Sequence, residues 1–286
     1  MRILISGAKG QLGRAFVEFL EPRKGLELLA LSHEDFDITD FEKVMETVRA
    51  FRPSVIINSA AYTLVDQAEN EPEKAFEVNT LGVHNLAIAA EREKCFLIHF
   101  STDYVFDGEK GDFYEERDRP RPINLYGLSK LWGENAIRKT TERALIFRVS
   151  WLFGKGKRNF LYRVLRWAEN RETLSVAYDE FSSPTYVDTV VRVCWKAFEA
   201  GLKGLYHLSS RGACSRYEWT RFWLRTLNLK KKVLPVKSES FALPAKRPFF
   251  SALDPSKLEK DLNIELPFWE EEVEKFARTI KTQKGK

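Results

Sequence analysis

The sequence is poor in cysteine and contains no long apolar segment. Its three cysteines, Cys95, Cys194 and Cys214, are far apart and form no C-x-x-C pair, so we expect reduced thiols rather than a zinc site or a disulfide framework. The longest apolar runs, such as KCFLIHF, fall well short of the roughly 20 residues that span a bilayer. The amino terminus reaches Gly7 too early to hold the apolar core of a signal peptide, which predicts a cytoplasmic protein without membrane contact.

Charge of one sign and metal-binding patterns are also scarce. The net charge is +5, and the only tight basic cluster, LKKKV at 229–233, has no interleaved aromatic residues, which argues against nucleic-acid binding. A mild positive charge does suit an enzyme whose substrate carries phosphates. The chain has neither a G-x-x-x-x-G-K-[ST] nor an H-E-x-x-H motif, and its four histidines are not paired at metal-ligand spacing. We therefore predict neither a triphosphate loop nor a metal site.

Short apolar runs alternate with longer amphipathic stretches through the first half of the chain. This alternation predicts an α/β fold with a doubly wound (Rossmann-like) parallel sheet that helices cover on both faces. The predicted strands are 2–6, 26–31, 54–58, 95–100 and 144–149. The predicted helices are 11–21, 40–51, 72–92, 124–140, 159–170, 186–200, 215–227 and 267–281. Asp40 is expected to cap the second helix, and Pro72 to begin the third.

A glycine trio follows the first predicted strand directly, in ISGAKGQLGRAF. Gly7, Gly10 and Gly13 form a G-x-x-G-x-x-G spacing rather than the G-x-G-x-x-G of the usual dinucleotide fingerprint. Glycine lets the backbone turn sharply and approach a diphosphate, which the N–H groups and the dipole at the start of the next helix would hold. The position of the trio therefore predicts a dinucleotide-binding loop.

The end of the second strand, LALSHEDFDITD, bears on which dinucleotide binds. A carboxylate at that end would select NAD through the ribose 2′-hydroxyl, but Ser32 and His33 stand there. We therefore expect NADPH or NADH, with NADPH favoured. Asp37 and Ile38 come next, where they would hold the edge and face of the adenine. A capping loop before Asp40 explains these two residues nearly as well.

The alternation of apolar and amphipathic stretches ends after residue 150, where polar and glycine-rich loops such as FGKGKRN (153–159) separate shorter elements. We therefore divide the chain into a dinucleotide-binding domain, residues 1–150, and a smaller α/β C-terminal region, residues 151–286, that mainly binds substrate. The segments near 159–170 and 186–208 are expected to rejoin the first domain.

A hydroxyl, a phenol and an ammonium occur where a parallel sheet would bring them together. Thr102 follows the fourth predicted strand in HFSTDYVFDG, and Tyr126 and Lys130 lie one turn apart at the start of the next helix, in YGLSK. The carboxyl ends of such strands form the ligand crevice. We expect Tyr126 to exchange a proton near neutral pH because Lys130 favours the phenolate, and Thr102 to orient the substrate oxygen.

Taken together, these motifs resemble the extended short-chain dehydrogenase/reductase superfamily and, within it, the dTDP-4-dehydrorhamnose reductase family. The resemblance covers nearly the whole chain and rests on GAKGQLG, FDITD, INSAAYTLVDQAE, VNTLGVHNLA, STDYVFDG, YGLSK, RVSWLFG, SSPT, GLYHLSS and AKRPFFSALDPSKL. STDYVFDG and RVSWLFG are specific to this family and its near relatives. The resemblance implies a cytoplasmic, NAD(P)H-dependent reductase of the 4-keto group of a nucleotide sugar, most closely dTDP-4-dehydro-L-rhamnose, with a homodimer as a possible assembly.

The resemblance also implies roles for individual residues. Thr102, Tyr126 and Lys130 match the catalytic set, and the last two also match cofactor contacts. The other positions that match cofactor contacts are Gly7, Gly10, Gln11, Leu12, Asp37, Ile38, Ala60, Ala61 and Tyr62. The positions that match substrate contacts are Val65, Asp66, Thr102, Asp103, Trp151, Asn159 and Arg247, of which the last two suit the diphosphate. A core aromatic is the alternative for Trp151, and a surface ion pair for Arg247.

The sequence departs from the family pattern in its C-terminal half. Phe250 stands where Asn is usual, Glu180 where Gln is usual, and Ser182 where glycine is usual; these departures concern the nucleotide rather than the reaction. One alternative is another nucleotide-sugar reductase, epimerase or dehydratase of the superfamily. A dehydratase typically has Asp-Glu after the threonine, whereas Tyr104 follows Asp103 here. The other alternative is a non-catalytic relative of the kind represented by the regulatory subunit of methionine adenosyltransferase.

Overall fold

The computed structural model describes residues 1–156 and 159–284, with side chains as far as Ile280. Lys157 and Arg158, in the predicted polar loop, lie outside the described residues. The strands are β1 (Arg2–Ser6), β2 (Glu27–Leu31), β3 (Val55–Asn58), β4 (Phe96–Thr102), β5 (Ala144–Val149), β6 (Leu152–Phe153), β7 (Thr173–Ala177), β8 (Phe181–Ser182), β9 (Thr185–Tyr186), β10 (Gly204–His207), β11 (Cys214–Ser215) and β12 (Lys232–Val236).

The helices follow the predicted order, with two short additions. They are α1 (Gln11–Leu20), α2 (Phe41–Phe51), α3 (Val65–Asn70), α4 (Pro72–Phe76), α5 (Val83–Arg92), α6 (Leu125–Thr140), α7 (Phe160–Asn170), α8 (Val187–Glu199), α9 (Arg216–Thr226), α10 (Ser256–Leu262) and α11 (Trp269–Lys284). The π-helix Glu77–Gly82 joins α4 to α5, so the single helix predicted over 72–92 is interrupted. The predicted cap is confirmed, since the Asp40 side chain accepts from the Lys43 amide.

Six strands form the central sheet in the order β10-β5-β4-β3-β1-β2. Every neighbouring pair is parallel, so the predicted doubly wound α/β fold is confirmed. The strand order reverses between β1 and β3, and in such sheets ligands bind at this switch point, outside the carboxyl ends of the strands. Among the described residues, no helix has the combination of length and apolarity needed to cross a membrane.

Alternating side chains of the central strands enter two separate apolar clusters. Ile3 and Ile5 pack with the cluster that also contains Phe16 of α1, whereas Leu4, between them, packs with Val44 of α2 and its neighbours. Because side chains alternate across a strand, both faces of the sheet are buried. This burial explains why the strands appear in the sequence as nearly continuous apolar runs.

The C-terminal half meets the sheet in two ways. β10 hydrogen-bonds to β5 as the sixth strand, and α8 packs against α1. α7 packs on α9 and β7 instead. The division into domains at residue 150 stays a prediction, because one apolar cluster runs continuously from the sheet into the C-terminal helices.

Candidate active site

The glycine loop lies at the switch point, between the end of β1 and the start of α1. Gly7 has φ +69°, and a Cβ at this position would lie 2.6 Å from the Ala60 nitrogen, so both conformation and space require glycine. A Cβ on Gly13 would lie 2.3 Å from the Gly7 carbonyl oxygen, which explains the close approach of helix to strand. α1 has no acidic residue in its first turn and no side-chain cap. Its open N-terminus therefore fits a diphosphate.

The loop after β2 is held by contacts of its own, and contact of Asp37 and Ile38 with the adenine stays a prediction. Asp37 accepts hydrogen bonds from the Thr39 amide (2.9 Å) and the Thr39 hydroxyl (2.8 Å), and Ile38 is buried against Gly82. Both contacts are those of the capping loop, the alternative that we considered above. A carboxylate does reach the end of the strand, because Glu34 accepts hydrogen bonds from Ser32 and Lys9. These bonds lower the pKa of Glu34 to about 2.

The segment after β3 packs beside the glycine loop and is fixed through its backbone. The Ala60 amide donates to the Asn58 side chain at 3.1 Å, and the Tyr62 amide donates to the Asn79 side chain at 2.9 Å. The Tyr62 hydroxyl points to Glu71, 3.2 Å away. Ala60, Ala61 and Tyr62 thus stay candidates for cofactor contact, at the carboxyl end of the strand next to the loop.

Thr102, Tyr126 and Lys130 converge at the ends of β4 and α6. Thr102 is the last residue of β4, two residues beyond the end we predicted, and its hydroxyl lies beside the phenol of Tyr126. Tyr126 lies in the first turn of α6, where the Asn124 side chain caps the helix. Lys130, one turn later, is buried and donates to the Phe100 carbonyl oxygen at 2.6 Å. The three predicted catalytic side chains therefore share one face of the crevice.

Burial is the main cause of the shifted pKa values of Tyr126 and Lys130. Burial raises the pKa of Tyr126, and the neighbouring Thr102 hydroxyl opposes the rise. The expectation that Lys130 would bring the Tyr126 pKa toward neutrality is wrong for this structure, because the phenolate is disfavoured by desolvation. Burial lowers the pKa of Lys130 to about 8, against the opposing charge of Glu134. At neutral pH the phenol holds its proton and the amine is close to its own titration point.

Asp103 is a buried carboxylate surrounded by hydroxyl groups. Its Oδ2 accepts from Ser251 (2.6 Å) and Ser182 (2.9 Å), and its Oδ1 accepts from Thr102 (3.1 Å). Burial raises the pKa of Asp103, and these three hydrogen bonds oppose the rise. Asp103 thus joins the end of β4 to two C-terminal loops.

Trp151 lies within a stack of aromatic and cationic groups. Its indole stacks on Trp219, with ring centroids 5.5 Å apart, and the Arg216 guanidinium lies 3.5 Å from the Trp151 ring centroid. Arg216 also pairs with Glu180 at 3.8 Å. One ring face therefore packs as a core aromatic would, while the half-buried residue as a whole borders the crevice.

Asp66 and Arg247, predicted as separate substrate contacts, form a two-pronged ion pair. The guanidinium nitrogens lie 2.7 and 2.6 Å from the two carboxylate oxygens. This pairing holds the pKa of Asp66 below its ordinary value, chiefly through the hydrogen bonds from Arg247. Val65, beside Asp66, begins α3. The alternative of an ion pair for Arg247 is thus the arrangement found in the structure.

Asn159 connects α7 to the glycine loop. Its side chain caps α7 by accepting from the Tyr162 amide, and its amide nitrogen lies 2.8 Å from the Gln11 side-chain oxygen. The same nitrogen donates to the Gly154 carbonyl oxygen at 2.8 Å. These bonds occupy much of the amide, so Asn159 positions Gln11 in this structure. Contact of Asn159 with a diphosphate stays a prediction.

With this geometry in place, comparison with known proteins identifies the family. The family model described as RmlD substrate binding domain matches residues 1–282. A dTDP-4-dehydrorhamnose reductase of Aggregatibacter actinomycetemcomitans is 37% identical, with 94% of this chain and 96% of that protein covered. The enzyme of that name from Escherichia coli K12 is 35% identical, with 99% of each chain covered. The chain belongs to the RmlD family.

A solved structure of an RmlD-type enzyme agrees closely with this chain. The dTDP-4-dehydrorhamnose reductase from Bacillus anthracis, solved in complex with NADP, is 38% identical and has a TM-score of 0.94. The comparison covers 97% of this chain and 99% of that chain. The prediction of a dTDP-4-dehydrorhamnose reductase-like member of the superfamily is therefore confirmed.

Two of the three departures from the RmlD family pattern affect the crevice directly. Ser182 supplies one of the hydroxyl groups on Asp103, and Glu180 is the ion-pair partner of Arg216. Phe250 packs edge-on against Phe113, with centroids 5.6 Å apart. These three positions lie far from β4 in the sequence, so their contacts could not be read from local patterns.

Sequence reasoning missed a group of arginines in this RmlD-type crevice. Arg163 and Arg216 lie 5.9 and 4.8 Å from the Phe160 ring centroid. Burial lowers the pKa of Arg163, and the charges of Arg216, Arg166 and Arg247 lower it further. Arg163 and Arg216 lie on predicted helices among many charged residues, and no motif distinguishes them from surface arginines.

Proposed function

We propose that this chain reduces the 4-keto group of dTDP-4-dehydro-L-rhamnose to give dTDP-L-rhamnose, as a cytoplasmic NAD(P)H-dependent enzyme. The observation that carries the proposal is the convergence of Thr102 and Tyr126 near buried Lys130, next to a glycine loop that fits a diphosphate. The family membership and full-length similarity to reductases of that name support the choice of substrate. The enzyme acts on a small molecule, and a homodimer stays a prediction.

The glycine loop and its neighbours would hold the dinucleotide. Gly7, Gly10, Gln11 and Leu12 present the open end of α1, and Ala60 to Tyr62 line the adjacent strand end. Lys130 and Tyr126 would meet the nicotinamide ribose. When bound, the reduced dinucleotide supplies the hydride for the ketone. The Glu34 carboxylate at the end of β2 favours a free ribose 2′-hydroxyl, and Lys9 beside it offsets that preference, which suits the use of both NADH and NADPH.

The protein's own chemistry is delivery of a proton to the oxygen of the ketone. The raised pKa of Tyr126 keeps the phenol protonated at neutral pH, so it is ready to act as a general acid. The Thr102 hydroxyl lies beside that phenol and can orient the substrate oxygen there. Lys130, held by the Phe100 carbonyl oxygen, stabilises the phenolate that is left after proton transfer.

The nucleotide end of the substrate would lie along the C-terminal side of the crevice. Three arginines lie there, and the charges of Arg216 and Arg247 lower the pKa of Arg163. Guanidinium groups suit the oxygens of a diphosphate. Trp151 offers an indole at the same place. Val65, Asp66 and Asp103 complete the proposed sugar contacts.

A reductase assay tests this proposal directly. Oxidation of NADH and NADPH would be followed in parallel with dTDP- and UDP-linked 4-keto sugars, and we expect turnover that is fastest with the dTDP-linked 4-keto-rhamnose. Absence of oxidation with all of them, with intact dinucleotide binding, would instead favour a non-catalytic relative.

Tyr126→Phe gives the matching test of the chemistry. It removes only the hydroxyl that carries the proton, so we expect kcat to fall by about 10²–10⁴-fold, with dinucleotide affinity nearly intact. Titration of the cofactor by fluorescence serves as the control for folding. Full activity in this variant would contradict the role of Tyr126.

A further inference from the structure

A row of buried polar side chains crosses the sheet directly beneath the catalytic lysine. Ser6, Asn58 and His99 are register partners on β1, β3 and β4, and Lys130 follows on α6. All four are at most 2% exposed. The proposed reaction uses only Lys130, so the other three require a separate explanation.

The orientation of the Asn58 amide is determined by a backbone group. The Ala60 N–H can only donate, and it lies 3.1 Å from Asn58 Oδ1, so this atom must be the oxygen. The Ser6 hydroxyl donates to the same oxygen at 2.7 Å. Asn58 therefore presents its NH₂ group on the opposite side, toward β4.

This orientation determines which nitrogen of His99 carries the proton. Asn58 Nδ2 lies 3.0 Å from His99 Nδ1, and because an amide nitrogen only donates, Nδ1 must accept and carry no proton. The neutral ring then has its proton on Nε2. Burial lowers the pKa of His99 well below its ordinary value, and the charge of Lys130 lowers it further, so the ring stays neutral.

The Nε2–H of His99 faces Lys130. The two nitrogens are 3.4 Å apart, while Lys130 Nζ also donates to the Phe100 carbonyl oxygen at 2.6 Å. An ammonium at this distance meets the positive end of an N–H bond, whereas a neutral amine could accept from it. We propose that His99, set in this tautomer by Asn58, is a positioning residue that favours the neutral amine form of Lys130 over the ammonium.

The remaining groups around Lys130 do not reverse this effect. Glu134, one turn along α6, raises the pKa of Lys130, but its carboxylate is paired with Arg148 at 2.7 Å and accepts from Ser101. Tyr126, one turn earlier, holds its proton. Among the described residues, no carboxylate forms an ion pair with Lys130 Nζ. Burial lowers the pKa of Lys130 to about 8, within range of exchange at neutral pH.

The proposal rests on the proposed function only for the task of Lys130, and it can be tested without substrate or dinucleotide. In protein labelled with ¹⁵N-histidine, long-range ¹H–¹⁵N spectra distinguish a protonated Nε2 from a protonated Nδ1. The His99 signals are assigned by their loss in His99→Leu. We expect the Nε2–H tautomer, without titration between pH 5 and 9. Finding the proton on Nδ1, or an imidazolium in this range, would overturn the proposal.

The effect on Lys130 is measured in the same cofactor-free protein. With ¹³C-lysine label, the Cε signal reports the pKa of Lys130, assigned by its loss in Lys130→Met. Removal of the imidazole in His99→Leu should raise this pKa by about one unit, a tenfold change in the dissociation constant. His207→Leu is the matched control, since His207 is equally buried on β10 but does not touch Lys130, and it should leave that pKa unchanged.

A second variant keeps the test decisive if His99→Leu does not fold. Asn58→Asp replaces the donor by an acceptor of the same shape, so His99 should move its proton to Nδ1 and offer a lone pair to the lysine. We expect the ¹⁵N pattern to reverse and the pKa of Lys130 to rise above the wild-type value. An unchanged Lys130 titration in the folded variant, with only a lower Tm, would show that His99 and Asn58 are merely structural.

Discussion

The single proton of the Thr102 hydroxyl determines how the catalytic side chains are connected. Thr102 donates to Asp103 at 3.1 Å and accepts from the Tyr104 amide at 3.2 Å. Its remaining lone pair is left for the hydroxyl of Tyr126, which lies beside it. Because the Asp103 carboxylate accepts the Thr102 proton, the phenol proton of Tyr126 is directed toward Thr102. The substrate oxygen then binds to hydrogen-bonding groups that are already aligned.

Asp103→Asn should replace the acceptor that faces Thr102 by a hydrogen-bond donor. The amide oxygen can still accept from Ser182 and Ser251, but the amide nitrogen facing Thr102 is a donor, so Thr102 loses its acceptor. We expect kcat to fall by about 10–100-fold while the Tm changes little, which steady-state kinetics and thermal unfolding would measure.

Ser251→Ala is the matched control for Asp103→Asn. It removes a hydrogen bond to the other oxygen of the same carboxylate and leaves the bond to Thr102 in place. A loss of about 1 kcal/mol of stability with unchanged kcat is expected. If Ser251→Ala lowers kcat as much as Asp103→Asn, burial of the carboxylate rather than alignment of Thr102 is the important property.

Helix α6 carries Tyr126 and Lys130, and buried contacts fix its position against the sheet. A Cβ on Gly127 would lie 2.0 Å from the Tyr104 carbonyl oxygen, and one on Gly133 would lie 2.2 Å from the Asn79 carbonyl oxygen. These glycines let the helix approach its neighbours closely. On the sheet side, Glu134 forms a two-pronged ion pair with Arg148 of β5.

Breaking that ion pair should be costly. Glu134 and Arg148 are each 1% exposed, so Glu134→Gln leaves a buried guanidinium without a counter-charge, and we expect a loss of about 3–5 kcal/mol in the free energy of unfolding. The double variant Glu134→Gln/Arg148→Met should recover much of this loss, because both charges are then gone. Chemical denaturation of the single and double variants measures both effects.

The surface pair of Lys155 and Glu18 provides the control for this prediction. Both side chains are more than half exposed, although their atoms lie only 2.7 Å apart. Glu18→Gln should therefore change stability by no more than about 1 kcal/mol. A similarly small effect for Glu134→Gln would contradict a buried ion pair at α6.

Elements with strong local patterns were predictable, whereas those stabilised by distant contacts were not. The five apolar strands and all the predicted helices except the one over 72–92 agree with the structure within a few residues, because periodicity and capping residues such as Asp40 are local signals. The π-helix at 77–82 was missed: Asn79 there turns toward Tyr62 and Ser129, a contact that no local pattern shows. Strand β10 pairs with β5, about 60 residues earlier in the chain, and short sequence windows cannot reveal such pairing.

The same limit applies to the site. Thr102, Tyr126 and Lys130 could be found because strand ends and helix starts place them, and because their chemistry is recognisable. The Asp66–Arg247 pair joins residues 181 positions apart, and the His99–Asn58 contact depends on sheet register. Both required the tertiary structure, as did the burial that raises the pKa of Tyr126.

Contacts between segments far apart in the chain hold the crevice and the C-terminal helices together. Ser182 and Ser251 meet Asp103, Arg247 meets Asp66, and the C-terminal helix α11 is anchored on α8 where Thr189 donates to Glu272 at 2.9 Å. Glu272 is 2% exposed. Because these contacts join segments far apart in the chain, changes in one of them should affect the stability of the protein as a whole.

Glu272 makes that stability depend on pH in a defined direction. Burial raises its pKa from 4.5 to about 7, so the folded protein binds this proton more tightly than the unfolded chain does. Stability is therefore lost as pH rises from about 4.5 to about 7, by up to about 3 kcal/mol, and the loss is complete above that range. Glu272→Gln removes the charge and keeps an oxygen for Thr189.

The free energy of unfolding of Glu272→Gln should therefore exceed that of wild type by about 3 kcal/mol at pH 8, and the difference should shrink to near zero at pH 4.5. Urea denaturation of both proteins at several pH values measures this difference, in which titration of all other groups cancels. Glu274→Gln, at an exposed position on the same helix, should show no such trend. A constant difference across the pH range would mean that Glu272 is ionised in the folded protein, and that the contact between α11 and α8 tolerates a buried charge.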